Sequence, residues 1–150
     1  MRAVIQRVSY GSVKVENKKI GEIDNGLVVL LGVDTNDKQD DISWLANKII
    51  NLRIFTDEKN LMNNSLINVN GDLMIISQFT LFAKTKKGNR PSYMDAAKSP
   101  KAIKYYNSFC NEIESLLRKK VIRGIFGTDM TLNIVNEGPV TIYIDSRNKD

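Results

Sequence analysis

Three short segments hold the residue types that could do chemistry. In S-Q-F-T-L, Ser77 to Leu81, two hydroxyls and a carboxamide follow directly on the apolar run Leu73-Met74-Ile75-Ile76. Alternation along a strand would simply turn some of these groups to a wet face. The chemical alternative is a polar pocket floor, in which hydroxyls and backbone N–H groups bind a developing oxyanion. In K-T-K-K-G-N-R, the cations Lys84, Lys86, Lys87 and Arg90 surround Gly88. This is either a solvated loop or a loop that contacts phosphates, with the glycine allowing close backbone approach. The third segment is Gly138-Pro139, lying between the β-branched runs Thr131 to Val135 and Val140 to Ile144. Proline cannot donate to a sheet ladder, so local chemistry reads a tight turn between antiparallel strands.

The chain has no histidine and one cysteine, Cys110. Ser-His-Asp and Cys-His arrangements are therefore excluded, as are zinc sites built on histidine or on several thiolates. Hydrolysis, if there is any, must take its proton handling from carboxylates, lysine, backbone groups or the substrate. Cys110 falls on an apolar helical stripe and reads as a core thiol rather than a nucleophile. The balance of 22 Lys and Arg against 17 Asp and Glu leaves a net charge of +5, which leans towards a polyanionic partner.

These segments must be positioned by one folded unit. A length of 150 residues, with 42% hydrophobic and 26% charged, suits a single domain spanning 1–150 with a core of its own. No apolar run approaches the roughly eighteen residues of a membrane span, and Met1-Arg2 leads into an alternating pattern rather than a leader peptide. The lone cysteine fits a reducing cytoplasm.

Arg2–Val8 and Ser12–Glu16 alternate as two strands around a bend or bulge at Tyr10-Gly11, and Lys18–Ile23 continues the polar edge. Leu27–Val33 is continuously apolar and reads as a strand buried on both faces. Cap oxygens at Asp34-Thr35-Asn36 introduce a helix whose stripe is Ile42, Leu45, Ala46, Ile49 and Leu52, with Trp44 off-phase. Arg53-Ile54-Phe55 opens another strand. Asn70-Gly71 predicts a hairpin joining Leu66–Val69 to Leu73–Phe82. Ser99-Pro100 starts a second helix, with stripe Ile103, Tyr106, Cys110, Ile113 and Leu117 and an end near Lys120. Three strands, Val121–Ile125, Met130–Val135 and Val140–Ile144, close the chain. The expected fold is α+β: a strand-rich core with the two helices as one covering layer.

Taken together, M-R-A-V-I-Q-R-V, S-Q-F-T-L-F-A, K-G-N-R-P-S-Y, F-G-T-D-M and N-E-G-P-V-T closely resemble the D-aminoacyl-tRNA deacylases, over essentially the whole chain. The resemblance implies a compact domain of β/β/α layers, assembled as a homodimer with sites at the subunit interface. It implies hydrolysis of the ester joining a D-amino acid or glycine to the 3′ end of tRNA, with aminoacylated tRNA as partner and no cofactor or metal. Carried onto this sequence, Ser77, Gln78, Phe79 and Thr80 would be the catalytic pocket. Gly138-Pro139 would be a cis element inserted into the other subunit's site as a chiral filter, supported by Arg7. Glu137 and Thr128 depart from the family's usual Asp and Ala beside two of these motifs, which bears on substrate preference rather than activity class.

With no histidine, substrate-assisted hydrolysis is the expected mechanism. The 2′-hydroxyl would help water, and backbone N–H groups near Gln78-Phe79, with the Thr80 hydroxyl, would stabilise the oxyanion. The competing mechanism makes Thr80 a covalent nucleophile. Two other classes stay open on sequence alone: an RNA-binding module without chemistry, and a basic dimeric scaffold.

Overall fold

The computed structural model describes residues 1–149. Its strands are β1 (Arg2–Val15), β2 (Lys18–Ile23), β3 (Gly26–Gly32), β4 (Phe55–Thr56), β5 (Met62–Asn64), β6 (Asp72–Ser77), β7 (Ile122–Arg123) and β8 (Thr131–Asp145). Its helices are α1 (Gln39–Asn51) and α2 (Ser99–Leu117), with a 3₁₀ turn at Phe79–Phe82. The main sheet runs β2-β1-β3-β6-β7, with β8 paired to β1.

β1 organises the sheet. One of its edges carries β8 along nearly its whole length; the other is shared, β3 pairing with Arg2–Val8 and β2 with Gly11–Val15. The expected pair of early strands is thus one strand. Its ladder with β8 slips between Val8 and Tyr10, so the expected bend or bulge is a bulge at Ser9, one residue before Tyr10-Gly11, and the strand runs on. Ala3 and Ile5, before the slip, face the helices. Val8 and Val13 face a second core, in which the sheet folds back on itself.

β3 is apolar throughout because it serves both cores. Leu27, Val29 and Leu31 pack towards the helices, while Val28 packs with Val8, Val13 and Met74 between the strand layers. β6 divides in the same way, Leu73 and Ile75 against Met74 and Ile76. Two apolar faces on central strands yield the β/β/α layering.

Several local expectations are corrected. Asn70-Gly71 makes no hairpin: residues 66–70 form turns, and β6 pairs parallel to β3. Asn70 does take a left-handed φ of 49°, so the turn forms as its chemistry predicts but leads to a different partner strand. Of Arg53-Ile54-Phe55 only Phe55 is in a strand, the first residue of the two-residue β4. In α1 the cap lies later, at Lys38, whose N–H donates to Asp41 at 2.8 Å. Asp37 is instead buried, where its carboxylate accepts from the Met1 ammonium at 2.5 Å and the Asp34 N–H at 2.6 Å. In α2, Ala102 and Phe109 are buried while Ile103 is exposed, and the helix ends at Leu117 on a left-handed Arg118.

The largest correction concerns Gly138-Pro139. Residues 131–135 and 140–144 are not two strands joined by a turn. They belong to one strand, β8, and both halves pair with β1. Val8 faces Asn136 and Gln6 faces Thr141, so the single residue Arg7 lies opposite Glu137, Gly138, Pro139 and Val140. The chain bulges out there, at the point where β8 crosses between cores: Leu132 and Ile134 pack in one, Val140, Ile142 and Ile144 against the other.

Candidate active site

β6 ends at Ser77, and the Gln78 N–H donates to the Leu31 carbonyl at 2.7 Å, completing the ladder with β3. The backbone then tightens into the turn Phe79–Phe82, so S-Q-F-T-L lies at a strand end and not within a strand. Phe82 anchors this turn from below. It is 1% exposed, and Gly32 leaves room for its ring, since a Cβ there would stand 2.9 Å from Phe82 Cε2. The Arg2 guanidinium covers Phe82 at 4.6 Å, donates to the Leu81 carbonyl at 2.9 Å and pairs with Asp145 at 2.8 Å.

The geometry sorts the backbone donors. The Gln78 N–H is committed to Leu31, whereas the N–H groups of Phe79 and Thr80, first in the turn, have no protein acceptor among the described residues. The Gln78 carboxamide donates to the Thr80 hydroxyl oxygen. The Phe79 side chain is 56% exposed and meets Tyr93 edge-on, ring centroids 5.0 Å apart.

Beside this turn opens a cavity of about 380 Å³, within the range of small-ligand sites. Ser77, Gln78 and Phe79 form one wall; Phe126, Gly127, Thr128, Asp129 and Met130 form the other, and Tyr106 closes the floor. Thr80 is not among the lining residues. Tyr106 is buried, donates to the Ile75 carbonyl at 2.7 Å and tilts against Phe126 at 6.0 Å. Burial pushes its phenol pKa up, which keeps it a neutral donor. The Thr128 hydroxyl donates to the Ile125 carbonyl at 3.0 Å and ties the second wall. The stripe of α2 marked Tyr106 only as core. The second wall carried no periodic signal and surfaced only as a family motif.

The Gly138-Pro139 peptide bond is cis, and both residues are exposed. They do not line the cavity of their own chain. Arg7 underpins them from the facing strand while itself 8% exposed. Its Nε donates to the Glu137 carbonyl at 3.2 Å, and its Nη1 to the Ile54 carbonyl at 2.5 Å. Gly138 has φ 116°, and a Cβ there would sit 3.0 Å from Arg7 Nη2.

In the basic loop, Lys84 pairs with Asp95 at 2.5 Å, and its backbone bridges Ser92, closing the loop's base. Lys86, Lys87 and Arg90 are exposed above it. Cys110 is buried in the helix-side core, and burial pushes its thiol up to about 11. Among the described residues no group of three or more Cys, Asp or Glu side chains could hold a metal, and no helix is long and apolar enough to cross a membrane.

Residues 4–145 match the family model described as D-Tyr-tRNA(Tyr) deacylase. A D-aminoacyl-tRNA deacylase of Flavobacterium psychrophilum is 53% identical over 150 residues, covering 100% of both chains. One of Parabacteroides distasonis is 52% identical, again over 100% of both. A solved structure titled c-Myc DNA Unwinding Element Binding Protein superposes with a TM-score of 0.92 at 37% identity, covering 97% of this chain and 98% of that one. A second, titled as a probable eukaryotic D-amino acid tRNA deacylase, has a TM-score of 0.81 at 19% identity over 95% and 97%, a likeness of fold.

Proposed function

Because this chain belongs to the D-Tyr-tRNA(Tyr) deacylase family, a family of hydrolases, we propose that it removes D-amino acids, or glycine, from the 3′-terminal adenosine of tRNA. The aminoacyl group enters the cavity between Ser77–Phe79 and Phe126–Met130, and the RNA backbone runs towards Lys86, Lys87 and Arg90. The chain works as a homodimer in the cytoplasm, and the Gly138-Pro139 bulge of one copy reaches into the cavity of the other.

The observation that carries this reading is a pair of unused donors. The N–H groups of Phe79, on the cavity wall, and of Thr80, the next residue in the turn, have no protein acceptor among the described residues. Donors fixed in advance at a site of developing charge stabilise a tetrahedral oxyanion without reorganisation. The protein therefore contributes orientation and oxyanion binding. The substrate contributes its 2′-hydroxyl, which positions or activates the attacking water. Thr80 acts in positioning: its oxygen receives the Gln78 carboxamide, and no side-chain base reaches it to make it a nucleophile.

Chirality is imposed by exclusion. The carbonyls of the exposed Gly138-Pro139 bulge, buttressed by Arg7, face the α-carbon of the ester and leave no room for an L side chain. Such a filter does not grip the D side chain, so tolerance among D-amino acids is broad. The bulge protrudes and lies off its own chain's cavity, which supports insertion between subunits.

Incubation with D-Tyr-tRNA and L-Tyr-tRNA tests the activity. Deacylation of the D form alone is expected; equal binding of both without hydrolysis would instead make this an RNA-binding module. A tRNA ending in 2′-deoxyadenosine tests the mechanism, because hydrolysis at full rate would sink substrate assistance.

A further inference from the structure

One face of α2 carries hydrogen-bond donors and no acid. Lys101, Lys104, Ser108, Asn111, Ser115 and, just past the helix end, Arg118 recur at alternating steps of three and four, which aligns them in one stripe. Ala102, Tyr106, Phe109, Cys110 and Ile113 hold the other side of the helix in the core. Over its helical part the stripe is about 21 Å long. None of the six is buried, and neither Lys104 nor Arg118 has an ion-pair partner among the described residues. Lys101 is pinned by the Thr35 and Asp37 carbonyls at 2.7 and 2.8 Å. The Asn111 carboxamide oxygen accepts from Arg123 at 2.8 Å, so its amide hydrogens are left for another acceptor. The two acids of α2, Glu112 and Glu114, fall off the stripe, and Glu114 is held by Lys120 at 3.1 Å and Arg123 at 3.0 Å.

The placement of the cations opposes the helix's own preference. Acids suit the positive end of a helix dipole, as Asp40 and Asp41 do in α1, whereas α2 opens with Lys98, Lys101 and Lys104 and has no acid in its first turn. Cations gathered there without counter-charge from the protein are matched to an anion from outside. Lysine, serine, asparagine and arginine in a straight row are the donors that grip phosphate and sugar oxygens along a nucleic-acid backbone.

We propose that this stripe receives the duplex backbone of the tRNA acceptor stem, a step that rests on the activity proposed above. Continuity with the cavity supports it. Ala102 and Tyr106, on the inner side of the same helix, line the cavity. The segment leading from the basic loop into α2 is fixed as well: the Thr35 N–H donates to the Asp95 carbonyl at 3.0 Å, and the Ala97 N–H to the Val33 carbonyl at 2.8 Å. The ester end and the duplex behind it thus meet one rigid element. Contacts to the backbone position an RNA without reading its sequence, and RNA duplexes are recognised largely through shape, 2′-hydroxyls and phosphates. The stripe therefore supplies affinity common to all tRNAs and leaves chirality to the pocket.

The test titrates the whole protein with a non-aminoacylated RNA hairpin, an acceptor stem with its single-stranded 3′ tail, and with the tail alone, over a range of salt. Wild type is expected to bind the hairpin at least about tenfold more tightly than the tail, with the steeper salt dependence. Lys104→Glu combined with Arg118→Glu should remove that preference and lower the salt slope for the hairpin by about 2, one for each cation lost. In the same variant KM for D-Tyr-tRNA should rise by more than kcat falls. Lys18→Glu combined with Lys59→Glu, the same charge change at exposed positions outside α2, should leave the preference intact. Equal binding of hairpin and tail by wild type, as for a stripe that serves a protein or a membrane, overturns the assignment. So does an intact preference in the α2 variant, or an equal loss in the control. Hairpin preference without hydrolysis of D-Tyr-tRNA would overturn the activity and leave the RNA surface standing.

Discussion

Thr80 and Cys110 are the two residues whose chemistry is easiest to overstate. The Thr80 hydroxyl oxygen accepts from Gln78, and the turn it belongs to is anchored by Phe82 rather than by Thr80 itself. Thr80→Ala is therefore expected to lower kcat on D-Tyr-tRNA by less than about tenfold. Loss of a covalent nucleophile would cost on the order of a million-fold, so single-turnover rates decide between the roles. For Cys110, burial raises the thiol to about 11, so at neutral pH it is protonated as well as inaccessible. Alkylation by iodoacetamide should be negligible in the folded protein and prompt after unfolding in urea. Modification of the native protein with loss of activity would contradict a purely structural thiol.

At the scale of elements, the decisive feature is how β8 is held. Arg7 ties the bulge to the Ile54 carbonyl, and its fork bonds two acceptors that a lysine cannot reach together. Arg7→Lys should cost about 1–3 kcal/mol in urea unfolding, the penalty for a buried acceptor left unpaired. Gly138→Ala should act differently. The φ of 116° and the 3.0 Å approach to Arg7 disfavour a side chain, so the bulge must shift. The expected outcome is a fall of about tenfold or more in the D-over-L ratio of kcat/KM; an unchanged ratio would remove the bulge from the filter. At the other end of β8, burial tends to raise the Asp145 carboxyl, but the bonds from Arg2 and the Arg147 N–H outweigh it and hold the carboxyl below its usual range. A depressed carboxyl contributes stability above its unfolded value of about 3.9 and loses it as pH falls through the folded value. Asp145→Asn should accordingly flatten the loss of stability below about pH 4, followed by thermal melts across the acid range.

For the whole molecule, the basic loop and the assembly state belong together. Lys84 is occupied by Asp95, so Lys86, Lys87 and Arg90 are the loop's exposed cations without an ion pair among the described residues. Replacing these three by alanine should reduce the slope of log K for tRNA against log salt by about 1 for each phosphate no longer neutralised, with melting temperature unchanged. Lys84→Ala should loosen the loop and alter the slope less. Sedimentation should return a dimer, and a monomer that is active at full rate would exclude a filter supplied by a second copy.

Composition and pattern alone determined a good deal. The missing histidine removed whole classes of hydrolase, the continuous apolar run at Leu27–Val33 announced a strand buried on both sides, and the two helical stripes were legible from spacing. S-Q-F-T-L and G-P-V-T could be singled out because they break local rules, a polar cluster after an apolar strand and a proline between strands. Only the tertiary structure decided what those breaks mean. Period-2 alternation says that a strand has two faces but not which core each face meets. Partners are set by packing between residues far apart in sequence, so the Asn70-Gly71 turn was real while its hairpin was not. The same limit hid the second wall of the cavity, Phe126–Met130, which meets Ser77–Phe79 across nearly fifty residues of chain. It also hid the bulge over Arg7, because local chemistry expects a proline to end a strand, whereas pairing on both sides of it let β8 pass from one core to the other.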